Sequence, residues 1–520
     1  MNATKALKLG LIGILAGGLL LSACSNSASE NNNTVKELVY VQENNPATLD
    51  PMDGNDDWSY TVMMTMYEGL LSFDKDMKVI PVLAEALPEV SKDAQSITFK
   101  LKQGVTFQDG EKFNAEAVKV NFERIKNPEN RLKRTSLFSA VEKIEIIDDY
   151  TVRFVLNKPF APILQTFANP AFMMISPKEI KESNKGINRK PVGTGPFQFV
   201  EWKDGDHLTV KRFDGYWDKA NVAKVDAITF KPATEAASRV VMLQTGEAQL
   251  VFPLPYEQME QLKKDSEIEI MQSPSIGMRY MAVNTKRKPF DDKRVRQALT
   301  YAINKDALIK TVTSGYAVQA ESIMADKVWG FQKQEMYDYS IEKAKQLLAE
   351  AGYPNGFETT IWSNNTTERV RTAEFIQQQW KEIGVNAAVQ PMEGATWSNQ
   401  TYVKPDESKL QTTVTNWTPA TGEADWAIRP VLTKEGFPPG LVNIGFYSND
   451  QVEKDVQDAM KTTDEKTRLE AYGNAQKIAV EEAAIIPLFV PDNLLGKKKN
   501  LSGIEVLPHK IVYLKRAEFK

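Results

Sequence analysis

The ten-residue segment from Trp417 to Trp426 combines side chains that suit the binding of a polar ligand. It carries two tryptophans, two threonines and two carboxylates around a proline and a glycine. Carboxylates accept hydrogen bonds from ammonium groups, hydroxyls donate hydrogen bonds, and aromatic rings pack against flat groups. We expect a loop that follows a strand, because a rigid strand fixes the root of a binding loop. An ordinary surface loop with one core tryptophan is the alternative. The candidate residues are Trp417, Thr418, Thr421, Glu423 and Asp425.

The supply of nucleophiles and metal ligands argues against most enzyme classes. Two histidines, His207 and His509, and one cysteine, Cys24, are too few for a zinc site of the usual kind. Neither histidine lies in a motif that we expect to face a cleft. The sequence has no H-E-x-x-H, G-x-S-x-G or P-loop motif. We therefore expect no catalytic residue, no metal and no cofactor. A hydrolase with paired carboxylates stays open, although no pair stands out.

The length of the chain indicates its number of domains, and its charge indicates which partners it can bind. A chain of 520 residues is long enough for two or three domains with full cores. The 64 basic residues are interspersed with 68 acidic ones, which gives a net charge of −4. No basic patch long enough to follow a phosphate backbone is visible, so a nucleic-acid partner is not expected.

The first residues predict export and a lipid anchor. Residues 9–21 form an apolar run that is too short for a membrane span and fits the core of a signal peptide. The run ends in Leu-Ser-Ala-Cys, which resembles the bacterial lipobox, in which the cysteine is lipidated. We expect a signal peptide over residues 1–23, lipidation of Cys24 and a flexible tether over residues 24–35. The mature protein would then lie on the extracytoplasmic face of the cell membrane.

Regular elements around the candidate loop predict an α/β region. Residues 341–352 form an amphipathic helix closed by glycine, and residues 357–362 form a strand. A further helix is predicted over residues 372–383, and a buried strand over residues 485–489. Strands that alternate with helices in this way are typical of an α/β lobe.

Residues 190–217 contain a rigid turn followed by a hairpin. Two prolines and two glycines between residues 191 and 196 prevent a helix or a regular strand from passing through. Apolar and polar residues then alternate over residues 197–202 and again over residues 208–210. The Asp-Gly-Asp sequence at residues 204–206 between them predicts the hairpin turn.

The amino-acid sequence of this hairpin resembles that of a known receptor family. It combines G-T-G-P-F at residues 193–197 with R-x-x-G-Y-W at residues 212–217, and E-G-L-L occurs earlier at residues 68–71. These motifs are similar to those of the family 5 extracellular solute-binding proteins, which serve peptide, nickel and glutathione ABC importers. The G-E-A-D-W and F-P-P-x-L sequences near Trp417 are most similar to the glutathione-binding members.

The resemblance implies an α/β fold of the periplasmic-binding-protein type II, cluster C. Two lobes joined by a hinge would be accompanied by an extra small domain. Lobe I would comprise residues 36–71, 190–283 and 491–520, and the extra domain II residues 72–189. Lobe III would comprise residues 284–490. A lobe built from separate segments implies crossing strands, which act as a hinge.

The resemblance also assigns roles to candidate ligand contacts. In peptide-binding relatives the tryptophan loop carries an aspartate for the peptide ammonium, but the equivalent position here is Ala420. Glu423 or Asp425 would have to take that role, while Arg134 and Arg279 would bind ligand carboxylates. Trp417 would stack on the peptide plane. The other predicted contacts are Asn55, Asp56, Asp57, Thr418, Thr421, Tyr447 and Ser448.

These motifs together predict a lipid-anchored receptor of an ABC importer. It would capture glutathione or a similar short peptide by lobe closure and deliver it, as a monomer, to the permease subunits. The open alternatives are a receptor for general di- or oligopeptides, a receptor for a nickel chelate, and an adhesin or signalling receptor without transport.

Overall fold

Helices and strands alternate along the chain. The structure is a computed structural model that describes residues 36–184 and 186–520. The α-helices within these ranges are α1 (Asp57–Met66), α2 (Ala115–Lys126), α3 (Ile163–Ala168), α4 (Pro177–Ser183), α5 (Ala236–Thr245), α6 (Met259–Leu262), α7 (Lys293–Tyr301), α8 (Lys305–Val312), α9 (Ile341–Glu350), α10 (Thr367–Lys381), α11 (Gly394–Thr401), α12 (Ala424–Leu432), α13 (Asp450–Met460) and α14 (Glu465–Glu481). None of them is both long and apolar enough to span a bilayer.

The strands of the same ranges form two larger sheets and three short pairs. They are β1 (Glu37–Gln42), β2 (Leu71–Phe73), β3 (Val79–Pro81), β4 (Glu89–Val90), β5 (Ser96–Lys100), β6 (Val141–Asp148), β7 (Thr151–Leu156), β8 (Phe197–Lys203), β9 (His207–Arg212), β10 (Ala227–Pro232), β11 (Leu250–Phe252), β12 (Ile268–Pro274), β13 (Met278–Val283), β14 (Ala317–Gln319), β15 (Glu358–Asn364), β16 (Asn386–Met392), β17 (Thr412–Trp417), β18 (Ile486–Lys498), β19 (Leu501–Ser502), β20 (Glu505–Val506), β21 (Val512–Tyr513) and β22 (Glu518–Phe519).

Residues 36–520 form one compact unit by their internal contacts. The division into lobe I, domain II and lobe III therefore stays a prediction. The predicted signal peptide, the tether and Cys24 lie outside the described residues.

The larger sheet has the strand order β16-β15-β17-β13-β18-β11-β1-β10-β9-β8, and β12 and β14 pair additionally with β18. The long strand β18 pairs with β13 near Pro487 and with β12 near Gly496. β18 and the consecutive strands β12 and β13 thus connect the two halves of the sheet. Two crossing segments of this kind are the arrangement that the predicted hinge requires.

The smaller sheet has the order β4-β5-β7-β6 and lies within residues 72–189. Its buried face packs through Phe99 and Phe154, which contact Phe167 on α3 at ring-centroid distances of 5.0 and 4.6 Å. The same buried cluster continues into the larger sheet. The smaller sheet is therefore joined to the rest of the molecule through a shared core.

Local elements mostly form where the sequence predicts them. β8 and β9 pair as the predicted antiparallel hairpin, and Gly205 turns between them with a φ of +75°. The helix predicted over residues 372–383 begins earlier, at Thr367. Its first turn is polar and carries no apolar period, so the pattern gave no sign of it. This extra turn brings Glu368 and Arg369 onto the helix.

The recognised motifs meet at the buried carboxylate of Glu68. Its Oε1 accepts hydrogen bonds from the Tyr216 hydroxyl at 2.8 Å and the Lys515 ammonium at 2.9 Å. Its Oε2 accepts from the Trp217 indole at 2.8 Å and the Thr194 hydroxyl at 3.0 Å. A buried carboxylate is stable only when it is paired and hydrogen-bonded in this way. We call these five residues the Glu68 cluster.

Two glycines of the same motif permit close contact with the end of α1. A Cβ atom at Gly195 would lie 2.6 Å from the Thr65 carbonyl oxygen, and one at Gly193 would lie 2.3 Å from the Met66 carbonyl oxygen. Only a residue without a side chain fits at these positions. The turn therefore fixes the C-terminal end of α1, whose other end points to the cleft described next.

Candidate ligand-binding cleft

A cavity of about 470 Å³ lies where the N-terminal end of α1, the residues after β17 and the turn between β20 and β21 meet. Its volume falls in the range that is usual for small-molecule sites, roughly 300–1,000 Å³. Half of the sequence-predicted site residues line it. They are Asn55, Asp56, Asp57, Arg134, Trp417 and Thr418.

The N-terminus of α1 contributes two carboxylates with different roles. Asp56 is the N-cap, and its side chain accepts hydrogen bonds from the Ser59 amide at 2.7 Å and the Ser59 hydroxyl at 2.8 Å. Asp57 is half-buried, and its carboxylate accepts no hydrogen bond from residues 36–184 or 186–520. Burial raises the pKa of Asp57 to about 6, against the opposing charges of Lys510 and Arg134. Asp57 is therefore an anion without a protein partner in the described part of the chain.

Arg134 presents a cation to the same cavity. Its Nε donates to the Gly54 carbonyl at 2.6 Å and to the Tyr60 hydroxyl at 3.2 Å, and its guanidinium lies 5.7 Å from the Tyr60 ring centroid. Its two terminal nitrogens donate to no residue that the structure describes. A guanidinium held by one edge in this way is free to bind a carboxylate with the other.

Trp417 is the last residue of β17 and Thr418 follows it directly, so a loop comes after a strand as the sequence predicts. The Trp417 indole donates to the Trp426 carbonyl at 2.6 Å, and the two rings lie 6.4 Å apart at an angle of 42°. The hydrogen bond fixes the Trp417 ring in the cavity wall. A fixed aromatic face of this kind suits contact with a flat peptide group.

The structure does not bring the two predicted ammonium partners into the cavity lining. α12 begins at Ala424, so the predicted loop ends earlier than Trp426. Glu423 is fully buried and pairs with Arg468. Asp425 lies in the first turn of the helix and forms two hydrogen bonds of 2.9 Å with Arg429, one helical turn further on. Both carboxylates are thus already neutralised by the protein.

Four other predicted residues also lie outside the cavity lining. Arg279 on β13 forms two hydrogen bonds with Glu368, of 2.7 and 2.5 Å. Burial opposes the charged form of Glu368, but Arg279, Lys510 and Arg369 together outweigh burial and lower the carboxyl pKa. The Tyr447 hydroxyl donates to Glu482 at 2.7 Å, and the Thr421 hydroxyl is buried. Ser448, the fourth, follows Tyr447 in the chain.

Arg369 is a cleft residue that the sequence reasoning missed. It lies in the unpredicted first turn of α10, lines the cavity and donates to the Asn416 side chain. Its guanidinium lies 5.4 Å from the ring centroid of Trp397, another lining residue. Burial and the nearby Arg279 charge lower the pKa of Arg369 to about 10, so it stays charged at neutral pH. The cavity lining therefore contains a second arginine in addition to Arg134.

His509 and Lys510 were missed as well. They lie in the turn between β20 and β21, and His509 lines the cavity. Burial lowers the pKa of His509 to about 4, so its imidazole is uncharged at neutral pH. The Lys510 charge favours the charged forms of both Asp57 and Glu368. Only tertiary packing brings this turn to the cleft, and no local pattern predicts it.

Metal-ion ligands are not grouped in the described residues. Within residues 36–184 and 186–520, no three His, Cys, Asp or Glu side chains are close enough together to hold an ion.

Comparison with protein families identifies the class of receptor. A family described as bacterial extracellular solute-binding proteins, family 5, matches residues 78–438, which is more than half of the chain. The chain belongs to this family. Family 5 proteins are receptors that bind solutes outside the cytoplasm. The prediction of an extracytoplasmic, non-enzymatic receptor therefore agrees with the chain's membership of this family.

A curated family 5 relative is similar over almost the whole chain. The glutathione-binding protein GsiB of Salmonella typhimurium is 43% identical over 477 residues, which cover 91% of this chain and 92% of that protein. The predicted resemblance to glutathione-binding members is therefore confirmed.

Two solved structures share the fold. The ABC transporter substrate-binding protein CtaP of Listeria monocytogenes has a TM-score of 0.84 and 26% identity, covering 93% of this chain and 99% of that one. A dipeptide-binding protein of Pseudoalteromonas sp. SM9913, in complex with Met-Leu, has a TM-score of 0.80 and 25% identity, covering 93% of this chain and 100% of that one. The predicted α/β periplasmic-binding-protein fold is confirmed.

Proposed function

We propose that this chain is the receptor of an ABC importer for glutathione or a closely similar peptide. The observation that carries the proposal is the pattern of charge in the cleft. Asp57, the lining carboxylate that accepts no hydrogen bond from the described residues, shares the cavity with two arginines, Arg134 and Arg369. Asp56, which is bonded to Ser59, also lines the cavity, and Lys510 lies near Asp57. Glutathione carries two carboxylates and one ammonium near neutral pH, so the two arginines suit its carboxylates and Asp57 suits its ammonium.

Asp57 is the proposed partner of the γ-glutamyl ammonium. Position 420, where peptide-binding relatives carry an aspartate, is alanine, and its carbonyl accepts a hydrogen bond of 3.0 Å from Asn169. Glu423 and Asp425 are paired within the protein. Asp57 is the lining carboxylate that keeps its acceptor capacity, and it replaces those two residues in our proposed site.

Arg134 and Arg369 are the proposed partners of the two ligand carboxylates. They belong to different predicted parts of the molecule, Arg134 to domain II and Arg369 to lobe III. A ligand that bridges them binds well only when the two parts are close together. In this scheme Arg279 acts indirectly, because its ion pair with Glu368 fixes the start of the helix that carries Arg369.

The uncharged middle of a tripeptide would pack between Trp417 and the polar groups of Thr418 and Asn416. Two hydrogen bonds support the proposed closure, because they join predicted domain II to predicted lobe III. Besides the Asn169 contact, the Ala161 amide donates to the Met460 carbonyl at 2.8 Å. We further propose that lipidation of Cys24 holds the receptor, as a monomer, beside its permease.

Calorimetric titration of a chain that begins at residue 25 tests the proposal, since residues 36–520 form a compact unit by themselves. Glutathione, oxidised glutathione, tri-alanine and a nickel–histidine complex are compared at equal concentrations. We expect one or both glutathione forms to bind at least about tenfold more tightly than tri-alanine, a difference of about 1.4 kcal/mol.

Two outcomes would contradict the glutathione assignment. Preferential binding of tri-alanine would make the chain a general peptide receptor. Preferential binding of the nickel complex would instead indicate a chelate receptor, which the position of His509 in the cleft would then explain.

A further inference from the structure

His509 lines the cleft with unused hydrogen-bonding capacity. The residue is only 6% exposed. Its Nδ1 atom is completely buried and has no hydrogen-bond partner in the described residues. Neither ring nitrogen bonds to any residue in the ranges 36–184 and 186–520. A neutral imidazole has one donor and one acceptor, and leaving them unused in a buried place is unfavourable. The Nε2 atom, unlike Nδ1, is not fully buried, so a ligand group in the cleft would supply a partner for Nε2.

The turn that carries His509 is fixed from several sides. The Leu507 amide donates to the Ile511 carbonyl at 2.9 Å, and the Pro508 carbonyl accepts from the Ile276 amide at 3.0 Å. The imidazole meets the Phe73 ring edge-on, with centroids 6.0 Å apart at an angle of 78°. The ring is therefore held in place before a ligand arrives, so binding costs little ordering of this side chain.

The charges around His509 indicate what kind of ligand group it meets. Asp57, Arg134 and Arg369 already match the charged ends of a peptide in the proposed function. The imidazole itself is uncharged at neutral pH because it is buried. It stabilises an uncharged partner by hydrogen bonding, whereas a charged group beside it would be buried without compensation.

We propose that His509 is a specificity-determining residue, which hydrogen-bonds an uncharged polar group in the middle of the bound peptide. This group is either a backbone amide or the cysteine thiol. The inference rests on the proposed function, and it explains how the cleft selects a peptide with a neutral middle residue. Peptides with a charged middle side chain are excluded by the same contact.

Substitution of each histidine in turn tests the inference. His509→Phe keeps a ring but removes both nitrogens, whereas His509→Gln keeps one donor and one acceptor and reaches the position of Nε2. We expect His509→Phe to weaken glutathione binding about tenfold and His509→Gln to stay within about threefold of the wild type. His207→Phe is the matched control, because His207 lies in the β8–β9 hairpin outside the cavity lining.

A second peptide distinguishes the two possible partners. In γ-glutamyl-alanyl-glycine the thiol is absent but both backbone amides remain. If His509→Phe no longer changes the affinity for this peptide, the partner is the thiol. If the tenfold effect persists, the partner is a backbone amide.

Nitrogen-15 spectra of the imidazoles provide an independent measurement, because the chain has only two histidines. We expect glutathione to shift the His509 ring signals and to leave those of His207 unchanged. Unchanged His509 signals, or a folded His509→Phe variant that binds within about twofold of the wild type, would overturn the inference. A wild-type chain that binds no glutathione would instead refute the proposed function.

Discussion

Charged residues near the cleft fall into two groups at the scale of single side chains. Arg279 with Glu368, and Arg429 with Asp425, form close ion pairs within the protein. Removing one member of such a buried pair leaves an uncompensated charge, so these residues stabilise the fold. Asp57 has no partner of this kind in the described chain. Unpaired charged groups in a cleft are the ones that are available to a ligand.

Asp57 should make ligand binding depend on pH. Burial raises its pKa to about 6 in the free protein, so protonation below that pH removes the anion that an ammonium group requires. We expect wild-type affinity to fall as the pH drops from 7.5 to 5, and Asp57→Asn to weaken binding at pH 7.5 by ~1.5–3 kcal/mol. Calorimetric titrations of both proteins across this pH range measure the effect.

The control for this prediction is Asp206→Asn, at an exposed carboxylate in the β8–β9 turn. It should retain both the affinity and the pH dependence of the wild type. An Asp57→Asn protein whose affinity still falls with acid as steeply as that of the wild type would show that another group binds the ammonium.

Only half of the predicted site residues line the cavity, because residue type and exposure are only loosely linked. Asp57 and Glu423 are both acidic residues beside a helix start, but only the folded chain shows that Glu423 meets Arg468. His509 could not be placed at all, since its turn reaches the cleft through packing of distant segments. Local patterns carry no information about such pairings.

At the scale of elements, α1 is fixed at its C-terminal end and at its middle. The Gly193–Phe197 turn packs against its C-terminal end, and the hairpin at β20–β21 is fixed to it by the Val512 amide, which donates to the Thr61 hydroxyl at 3.2 Å. Its N-terminal end carries Asp56 and Asp57 into the cleft. The position of these carboxylates therefore depends on contacts at the opposite end of the helix.

Gly195→Ala should destabilise the protein, because the new methyl group would lie 2.6 Å from atoms of the Thr65–Met66 backbone. Overpacking of this kind costs ~1–3 kcal/mol, and it should lower the midpoint of thermal unfolding measured by circular dichroism. Gly205→Asn is the matched control. A Cβ atom there meets nothing within 4 Å, and asparagine tolerates the positive φ. Equal unfolding midpoints for the two variants would contradict this account of the turn.

Elements with a strong apolar period were predicted well, and polar helix starts were not. The β8–β9 hairpin and helix α9 agree with the sequence. The first turn of α10 was missed, and α12 begins inside a segment that was predicted as a loop. Both errors lie at helix N-termini in the candidate site, where polar residues serve binding or ion pairing instead of the core.

At the scale of the whole molecule, β18 and the strands β12 and β13 connect the two halves of the sheet. These strands form two adjacent crossing segments of the chain. Rotation of one half about the two segments requires only a few changes of backbone angle. The family motifs in the sequence predicted this fold correctly, whereas the alternation of strand and helix patterns indicated only its α/β class. The division into lobes stays a prediction.

Ligand binding should make the receptor more compact. Contacts to both Arg134 and Arg369 favour the closed state, so glutathione should reduce the radius of gyration measured by small-angle X-ray scattering. The Asp57→Asn protein should need a higher glutathione concentration for the same reduction, and Asp206→Asn should behave like the wild type. An unchanged radius in the wild type at saturating ligand would contradict closure.

The Glu68 cluster has a consequence for biosynthesis. Lys515 and Glu68 are 447 positions apart in the chain, and the other donors come from between them. A chain that emerges from the ribosome N-terminus first therefore carries this carboxylate for most of its synthesis without the ammonium that neutralises it. The core around Glu68 is completed only after Lys515 has been added. We therefore expect this core to fold only after the C-terminal segment has been synthesised.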